Sequence, residues 1–330
     1  MHVRKAVITA AGRGVRQYPA SDTVQKAMLP LVDRDGLTKP VIQIIAEEAL
    51  DSGIEEICIV TAPGDDAVYR RFFQAFKENL LSAFGDAAWS REQSSRLADL
   101  ERRLHFAVQE HPEGYGHAVW CAREFVGSEP FLLLVSDHLY ISGEQRRCSR
   151  QVLDLALQES CSVAAVQETR EHLIHRYGTV AGKRIAGRPN VFQIERVIEK
   201  PTPSLAEQRL HVPGLRVGHY LCFFGMHVLT PALFDILDEH VRQDSRQSGE
   251  IQLTPALQEL ARREQYLAVQ TNGRRYDVGV RFGSLEAQVA LAMSGVDRDE
   301  VLARLMELLL QFEQERSGGM GPPTPTSEHG

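Results

Sequence analysis

The chain has 330 residues, of which 43% are hydrophobic and 25% charged, the proportions of an ordinary globular protein. With 37 Lys and Arg against 44 Asp and Glu, the net charge is -7, so we expect no broad basic surface of the kind that binds nucleic acid. No apolar run approaches the ~20 residues of a membrane span, and the first residues lack the apolar run of a signal peptide. We therefore expect a cytoplasmic protein with no membrane or nucleic-acid partner, whose widely spaced cysteines are reduced.

The first half of the chain alternates apolar runs with helical patterns. The sequence predicts strands at 5–11, 55–62, 104–110 and 130–137, and helices at 40–53, 65–85, 91–103 and 117–127. This alternation indicates an α/β fold with a largely parallel sheet covered by helices on both faces. Ligands of such sheets bind at the carboxyl ends of the strands, here the loops after Ala11, Thr61, Gln109 and Asp137.

The second half of the chain is more mixed. It predicts strands at 161–168, 190–201 and 215–229, and helices at 231–242, 254–264 and 301–315. The dipeptide Asn272-Gly273 separates two β-like runs and predicts a hairpin between them. No linker interrupts the chain, so we expect a single domain over 1–316 and a disordered tail over 317–330.

A glycine-containing turn follows the first predicted strand, in the stretch "VITAAGRGVRQYP". Gly12, Gly14 and Arg16 lie in it, but the third glycine of the dinucleotide motif is missing, and so is the lysine of the P-loop. The residues alone favour either a phosphate cradle gripped by Arg16 or a plain tight turn. Lys26, in "QKAMLPLV", is either a solvated surface lysine or a cation held beside this turn.

Two aspartates and one acid–base pair are further candidates. Asp137 ends a buried strand and Asp277 lies in "RRYDVG", so each is either a turn residue or a ligand of Mg²⁺. Glu199 and Lys200 are adjacent in "VIEKP", and neighbours on a strand face opposite sides, which favours an exposed strand end. Together with the two cations Arg16 and Lys26, the aspartates indicate a phosphoryl- or nucleotidyl-transfer site.

An ordered set of motifs carries a family resemblance. In chain order they are "KAVITAAGRGVR…KAMLPLV", "YGHAVWCA", "VSDHLY", "RYGTVAG", "VIEKP", "VGHYLCFF", "GEIQLT" and "YDVG". Over about Lys5 to Gly295 the chain resembles the bacterial UTP:glucose-1-phosphate uridylyltransferases, within the sugar-1-phosphate nucleotidyltransferases. The resemblance implies a Rossmann-like mixed, mostly parallel sheet, UTP and a sugar 1-phosphate as substrates, Mg²⁺ as cofactor, and a homo-oligomer.

The resemblance also implies roles for the residues that match the family's motifs. These are catalytic (Arg16, Lys26 and Lys200), nucleotide-binding (Ala11, Gly12, Gly14, Gln109 and Gly116), sugar-binding (Gly178 and Glu199) and Mg²⁺-binding (Asp137 and Asp277). In the implied reaction the phosphate of the sugar attacks the α-phosphorus of UTP. Because that phosphate is already a nucleophile, catalysis consists mainly of positioning and charge neutralisation.

The chain departs from the family's usual motifs at three positions near the glycine turn. Val15 replaces a threonine, Asp22 replaces a lysine, and Ala27 replaces a glutamate. The main hypothesis is an Mg²⁺-dependent uridylyltransferase that makes UDP-glucose. The alternatives are a UDP-sugar-binding regulatory relative with weak or no turnover, and a nucleotidyltransferase for another sugar or nucleotide. A nicotinamide-dependent dehydrogenase is disfavoured by the missing third glycine.

Overall fold

The computed structural model describes residues 1–12, 24–85 and 87–317 of the chain. The predicted phosphate-binding residues Gly14 and Arg16 lie outside these ranges, as do Val15 and Asp22. Residues 318–330 of the predicted tail lie outside them as well. No helix within the described ranges is both long and apolar enough to cross a membrane.

The strands are β1 (Lys5–Thr9), β2 (Pro30–Val32), β3 (Thr38–Pro40), β4 (Glu56–Thr61), β5 (Leu104–Val108), β6 (Phe131–Val135), β7 (His138–Ser142), β8 (Ser162–Arg170), β9 (Gly178–Arg184), β10 (Val191–Glu199), β11 (His219–Leu229), β12 (Tyr266–Gln270) and β13 (Gly273–Asp277). Within the described part of the chain, a sheet of 9 strands has the order β5-β4-β1-β6-β11-β8-β12-β10-β9. Strands β10 and β11 are antiparallel to their neighbours, and the others share one direction. The predicted mixed, mostly parallel sheet is confirmed, with strands from both halves of the chain.

The helices are α1 (Val41–Leu50), α2 (Asp65–Phe84), α3 (Ala88–Arg103), α4 (Tyr115–Trp120), α5 (Arg123–Val126), α6 (Cys148–Glu159), α7 (Pro203–Arg209), α8 (Ala232–Arg242), α9 (Leu253–Arg263), α10 (Gly283–Met293) and α11 (Arg298–Ser317). They cover both faces of the sheet, because successive side chains of a strand point to opposite sides. Ala6 and Ile8 of β1 pack in the core with α1, α2, α3 and α6, whereas Val7 packs with α4, α8 and α9. The large sheet therefore lies between two apolar layers.

Local chemistry explains where several elements begin and end. Pro40, with φ of -68°, precedes the first residue of α1, where the missing N–H of a proline costs no helical hydrogen bond. The helix predicted over 117–127 is two short helices, α4 and α5, which are separated at Cys121 and Ala122. The core of the predicted strand over 130–137 is β6, whose first four residues are buried.

The predicted hairpin at Asn272-Gly273 is wrong. Strand β12 lies inside the large sheet and pairs with β8 and β10, so both of its edges are occupied. The chain therefore leaves the sheet after β12, and β13 pairs antiparallel with β7 instead. This pairing sets Asp277 opposite His138, the residue after Asp137. The tertiary partners of the two strands thus override the local turn signal and bring the two predicted metal-binding aspartates together.

Candidate active site

A cleft of about 550 Å³ opens at the carboxyl edge of the large sheet. Residues that follow β1, β5 and β6 form its floor, as expected for a sheet of this type. Its lining residues are Thr9, Ala11, Gly12, Lys26, Gln109, Pro112, Gly114, Tyr115, Ala118, Val135, Ser136, Asp137, Lys200 and Glu250. Six residues assigned by the family resemblance are among them, although they come from distant parts of the chain.

The charged centre of the cleft is an ion pair between Lys26 and Asp137. Lys26 begins a short 3₁₀ turn, Lys26–Met28, which is anchored by Ala27, only 2% exposed. Its Nζ lies 2.6 Å from Oδ2 of Asp137, and a Cβ added to Gly12 would lie 3.8 Å from the same Nζ. The lysine is therefore held beside the glycine turn, as one of the two sequence interpretations requires.

Asp137 is buried but remains a carboxylate. Burial by itself would raise the pKa of Asp137, yet the nearby His138 and Lys26 outweigh it and hold this pKa below its ordinary value. Asp277, a second acid, opposes the effect of Lys26 and His138 on this pKa. The ionised form is the one that can bind a metal ion or a cation at neutral pH.

Three side chains at this end of the cleft offer donor atoms for a metal. Asp137, His138 and Asp277 each present one such atom, and these atoms lie within 4.8 Å of one another. His138 Nε2 is 3.9 Å from Oδ1 of Asp137 and 3.9 Å from Oδ2 of Asp277, whose Oδ1 accepts a hydrogen bond from the Gly279 N–H at 2.9 Å. Two carboxylates fit Mg²⁺, which prefers one or two of them together with substrate phosphates.

A glycine makes room for the third donor. Gly225 lies in a bulge of β11, has φ of +83°, and a Cβ there would be 2.3 Å from Nδ1 of His138. Any larger residue at 225 would push the imidazole out of its place. His138 was not predicted as a site residue, because only the pairing of β7 with β13 brings it to the second aspartate.

Two of the predicted nucleotide-binding residues, Gln109 and Gly116, come from the end of β5 and from α4. Gln109 follows β5, is only 5% exposed, and lines the cleft. Gly116, in the first turn of α4, is buried against the next loop: its N–H donates to the Ile251 carbonyl at 2.9 Å, and a Cβ would approach the Gln252 backbone to 2.8 Å. Gly116 thus supports the wall of the cleft through its backbone packing and does not itself line the cleft.

The predicted sugar-binding residues lie where β9 and β10 pair. Gly178 is opposite Glu199 in the register, and a Cβ on this glycine would be 3.2 Å from the Glu199 carboxylate and 2.8 Å from Phe223. Glu199 Oε2 accepts a hydrogen bond of 2.5 Å from the Thr254 hydroxyl. Lys200, with φ of +44°, turns away from the strand, so that it lines the cleft while Glu199 faces an adjoining recess. The expected opposition of the two strand neighbours is not observed, because Lys200 Nζ lies 3.4 Å from Oε1 of Glu199 and the two side chains form an ion pair.

A larger recess, of about 730 Å³, lies away from the cleft and is rich in charges of both signs. Its buried lysine, Lys39, donates hydrogen bonds to Asp33 at 2.9 Å, Asp35 at 2.6 Å and Glu47 at 2.8 Å. Burial opposes the charge of Lys39, but Glu47 and Asp33 outweigh it and raise the pKa of the lysine. Its cation is already neutralised by protein carboxylates, so we assign the chemistry to the smaller cleft.

A mixed sheet that carries Gly12, a lysine and two neighbouring aspartates at its carboxyl edge fits a nucleotidyl transferase. The sequence model of the nucleotidyl transferase family matches residues 5–292, and the chain belongs to that family. It is 36% identical to the UTP--glucose-1-phosphate uridylyltransferase of Bacillus subtilis, over 94% of this chain and 99% of that protein. It is 35% identical to the enzyme of the same name from Streptococcus pneumoniae, over 95% of this chain and 97% of that one. Within the family, the chain therefore groups with the bacterial UTP:glucose-1-phosphate uridylyltransferases.

Solved structures agree with this assignment. A crystal structure of UDP-glucose pyrophosphorylase in complex with UDP-glucose superposes with a TM-score of 0.71 and 30% identity, covering 88% of this chain and 98% of that chain. A UDP-glucose pyrophosphorylase from Acinetobacter baumannii has a TM-score of 0.73 at 24% identity, covering 93% of this chain and 100% of that chain. At this lower identity, the second similarity supports the fold alone.

Proposed function

We propose that this protein transfers a uridylyl group from UTP to glucose 1-phosphate, which yields UDP-glucose and pyrophosphate. An oxygen of the sugar phosphate attacks the α-phosphorus of UTP, and the bond from that phosphorus to the β-phosphate oxygen breaks. Pyrophosphate leaves with the electron pair of the broken bond. The contact between Lys26 and Asp137, beside Gly12 and inside the cleft, is the observation that carries the proposal.

The charged residues of the cleft have separate proposed roles. Lys26 neutralises charge that grows around the α-phosphate, and Lys200, which also lines the cleft, orients the sugar phosphate. Arg16 and the backbone at Gly12 and Gly14 hold the departing pyrophosphate, and Ala11 forms part of the wall beside the uracil; Gly14 and Arg16 lie outside the described residues. Holding two polyanions at attacking distance supplies most of the rate enhancement, because no base is needed.

The neutral contacts and the metal complete the proposal. Gln109 and Gly116 form the binding site of the nucleobase. Glu199 accepts hydrogen bonds from sugar hydroxyls beside Gly178. Asp137 and Asp277 would hold Mg²⁺, with the imidazole of His138 close to both carboxylates. When bound, the ion would supply positive charge to the phosphate oxygens at the reacting centre.

A pyrophosphate-release assay tests the proposal. UTP and glucose 1-phosphate with Mg²⁺ are expected to give steady release, and Lys26→Ala and Asp137→Ala are expected to abolish most of it. A panel of four nucleoside triphosphates and several sugar 1-phosphates identifies the preferred pair. If no pair turns over while UDP-glucose still binds tightly in calorimetry, the protein is a binding relative and the proposal is wrong.

A further inference from the structure

The side-chain amide of Gln109 is held on two sides. Its Nε2 lies 3.1 Å from the carbonyl oxygen of Gly114 and 3.0 Å from Nδ1 of His117. A carbonyl oxygen can only accept a hydrogen bond, so the amide nitrogen, and not the amide oxygen, must face Gly114. Both amide hydrogens are then directed to protein acceptors.

This arrangement determines the tautomer of His117. Because Nε2 of Gln109 is the donor, Nδ1 of the imidazole must accept, and the ring proton lies on its Nε2. That nitrogen is 3.4 Å from Oε2 of Glu113, whose Oε1 in turn accepts a hydrogen bond of 2.8 Å from Arg246. Glu113 therefore lies on the protonated side of the ring, and Arg246 holds its carboxylate.

The imidazole is fixed in place and kept neutral. His117 is 8% exposed, and its ring stacks on Trp120 with the centroids 5.4 Å apart. Burial lowers the pKa of His117, although Glu113 and the backbone of His111 oppose this effect. A neutral ring is the form that can accept a hydrogen bond at Nδ1.

We propose that His117 is a positioning residue for base selection, acting through Gln109. With both amide hydrogens held by His117 and Gly114, Oε1 of Gln109 is left to accept a hydrogen bond from a nucleobase in the cleft. Uracil and thymine present an N3–H donor, whereas N3 of cytosine is an acceptor and would face another acceptor. This inference rests on the proposed uridylyl transfer and assigns its preference for uracil and thymine over cytosine to the Glu113, His117 and Gln109 network.

The ratio of kcat/KM for UTP to kcat/KM for CTP is the quantity to measure. His117→Leu removes the acceptor and frees the amide to rotate, so the ratio is expected to fall about 10-fold or more, through KM rather than kcat. His117→Asn places Oδ1 near the position of Nδ1 and is expected to restore most of the ratio. His227→Leu is the matched control, since it removes a histidine that is 3% exposed and does not line the cleft.

Equal losses for UTP and CTP in His117→Leu, or an unchanged ratio, would overturn the proposal. If that variant does not fold, ¹⁵N NMR of the wild-type protein decides: a protonated Nε2 and an unprotonated Nδ1 are expected, and the opposite tautomer contradicts the proposal. Turnover of UTP by the wild-type protein establishes the proposed function independently of both results. Failure of the inference can thus be distinguished from failure of the proposed function.

Discussion

Replacing Lys26 by Met removes one cation of the cleft while keeping the apolar length of the side chain. The transition state then lacks one positive charge beside the α-phosphate, and a lost group of this kind costs about 10²- to 10³-fold in kcat. Asp137, which contacts Lys26 at 2.6 Å, also loses this one of its contacts. We therefore expect Lys26→Met to lower both activity and stability.

The burial of Lys26 and Asp137 determines the size of the expected stability loss. Removing one partner of a buried ion pair costs about 3–5 kcal/mol, and the side chains of Lys26 and Asp137 are only 15% and 12% exposed. Both side chains keep some contact with solvent, which reduces the cost. We therefore expect the lower end of the range, about 3 kcal/mol, measured by urea denaturation.

The variant Lys39→Met separates the expected loss of activity from the expected loss of stability. Lys39 is 3% exposed and bonded to three carboxylates, but it does not line the cleft. This control is expected to lose at least as much stability as Lys26→Met while keeping its kcat, when both are assayed well below their unfolding temperatures. The reasoning is refuted if Lys26→Met keeps more than about a tenth of the wild-type kcat, or if Lys39→Met loses as much activity.

Three further changes have distinct expected results. Thr254→Val removes the donor to Glu199, so the KM for glucose 1-phosphate should rise about 10-fold with the KM for UTP unchanged in steady-state kinetics. Gly116→Ala forces a Cβ to within 2.8 Å of the Gln252 backbone and should cost about 1–3 kcal/mol in urea denaturation, with a higher KM for UTP; an unchanged stability would contradict the packing. Burial lowers the pKa of His227 from 6.5 to about 3, so between these values the unfolded chain binds a proton that the folded protein does not. Relative to His227→Phe, the wild-type protein should therefore lose about 1.4 kcal/mol of stability per pH unit as the pH falls from 6.5 towards 3, and parallel profiles would contradict this.

The parallel part of the sheet could be predicted because its signals are local. The strands of the first half are short apolar runs, and helical patterns separate them along the chain. The Asn272-Gly273 hairpin could not be excluded in the same way. Its turn signal is also local, but the pairing of β12 depends on which distant strands already occupy its edges.

Residues of the candidate site could be predicted from the sequence where they directly follow a strand. Asp137 follows a buried strand, and the position of such a residue at the carboxyl edge follows from the fold alone. Asp277 required the resemblance, since its proximity to Asp137 depends on the pairing of β13 with β7. His138 and His117 left no signal, because a histidine becomes informative only when its hydrogen-bond partners are known.

The central claim is that an oxygen of glucose 1-phosphate attacks the α-phosphorus of UTP in this cleft. Glucose 1-phosphate labelled with ¹⁸O in its phosphate group tests this claim directly, with the products analysed by mass spectrometry. The account predicts UDP-glucose that retains every labelled oxygen, together with an equal amount of unlabelled pyrophosphate. Labelled pyrophosphate, or consumption of UTP without formation of UDP-glucose, would contradict it.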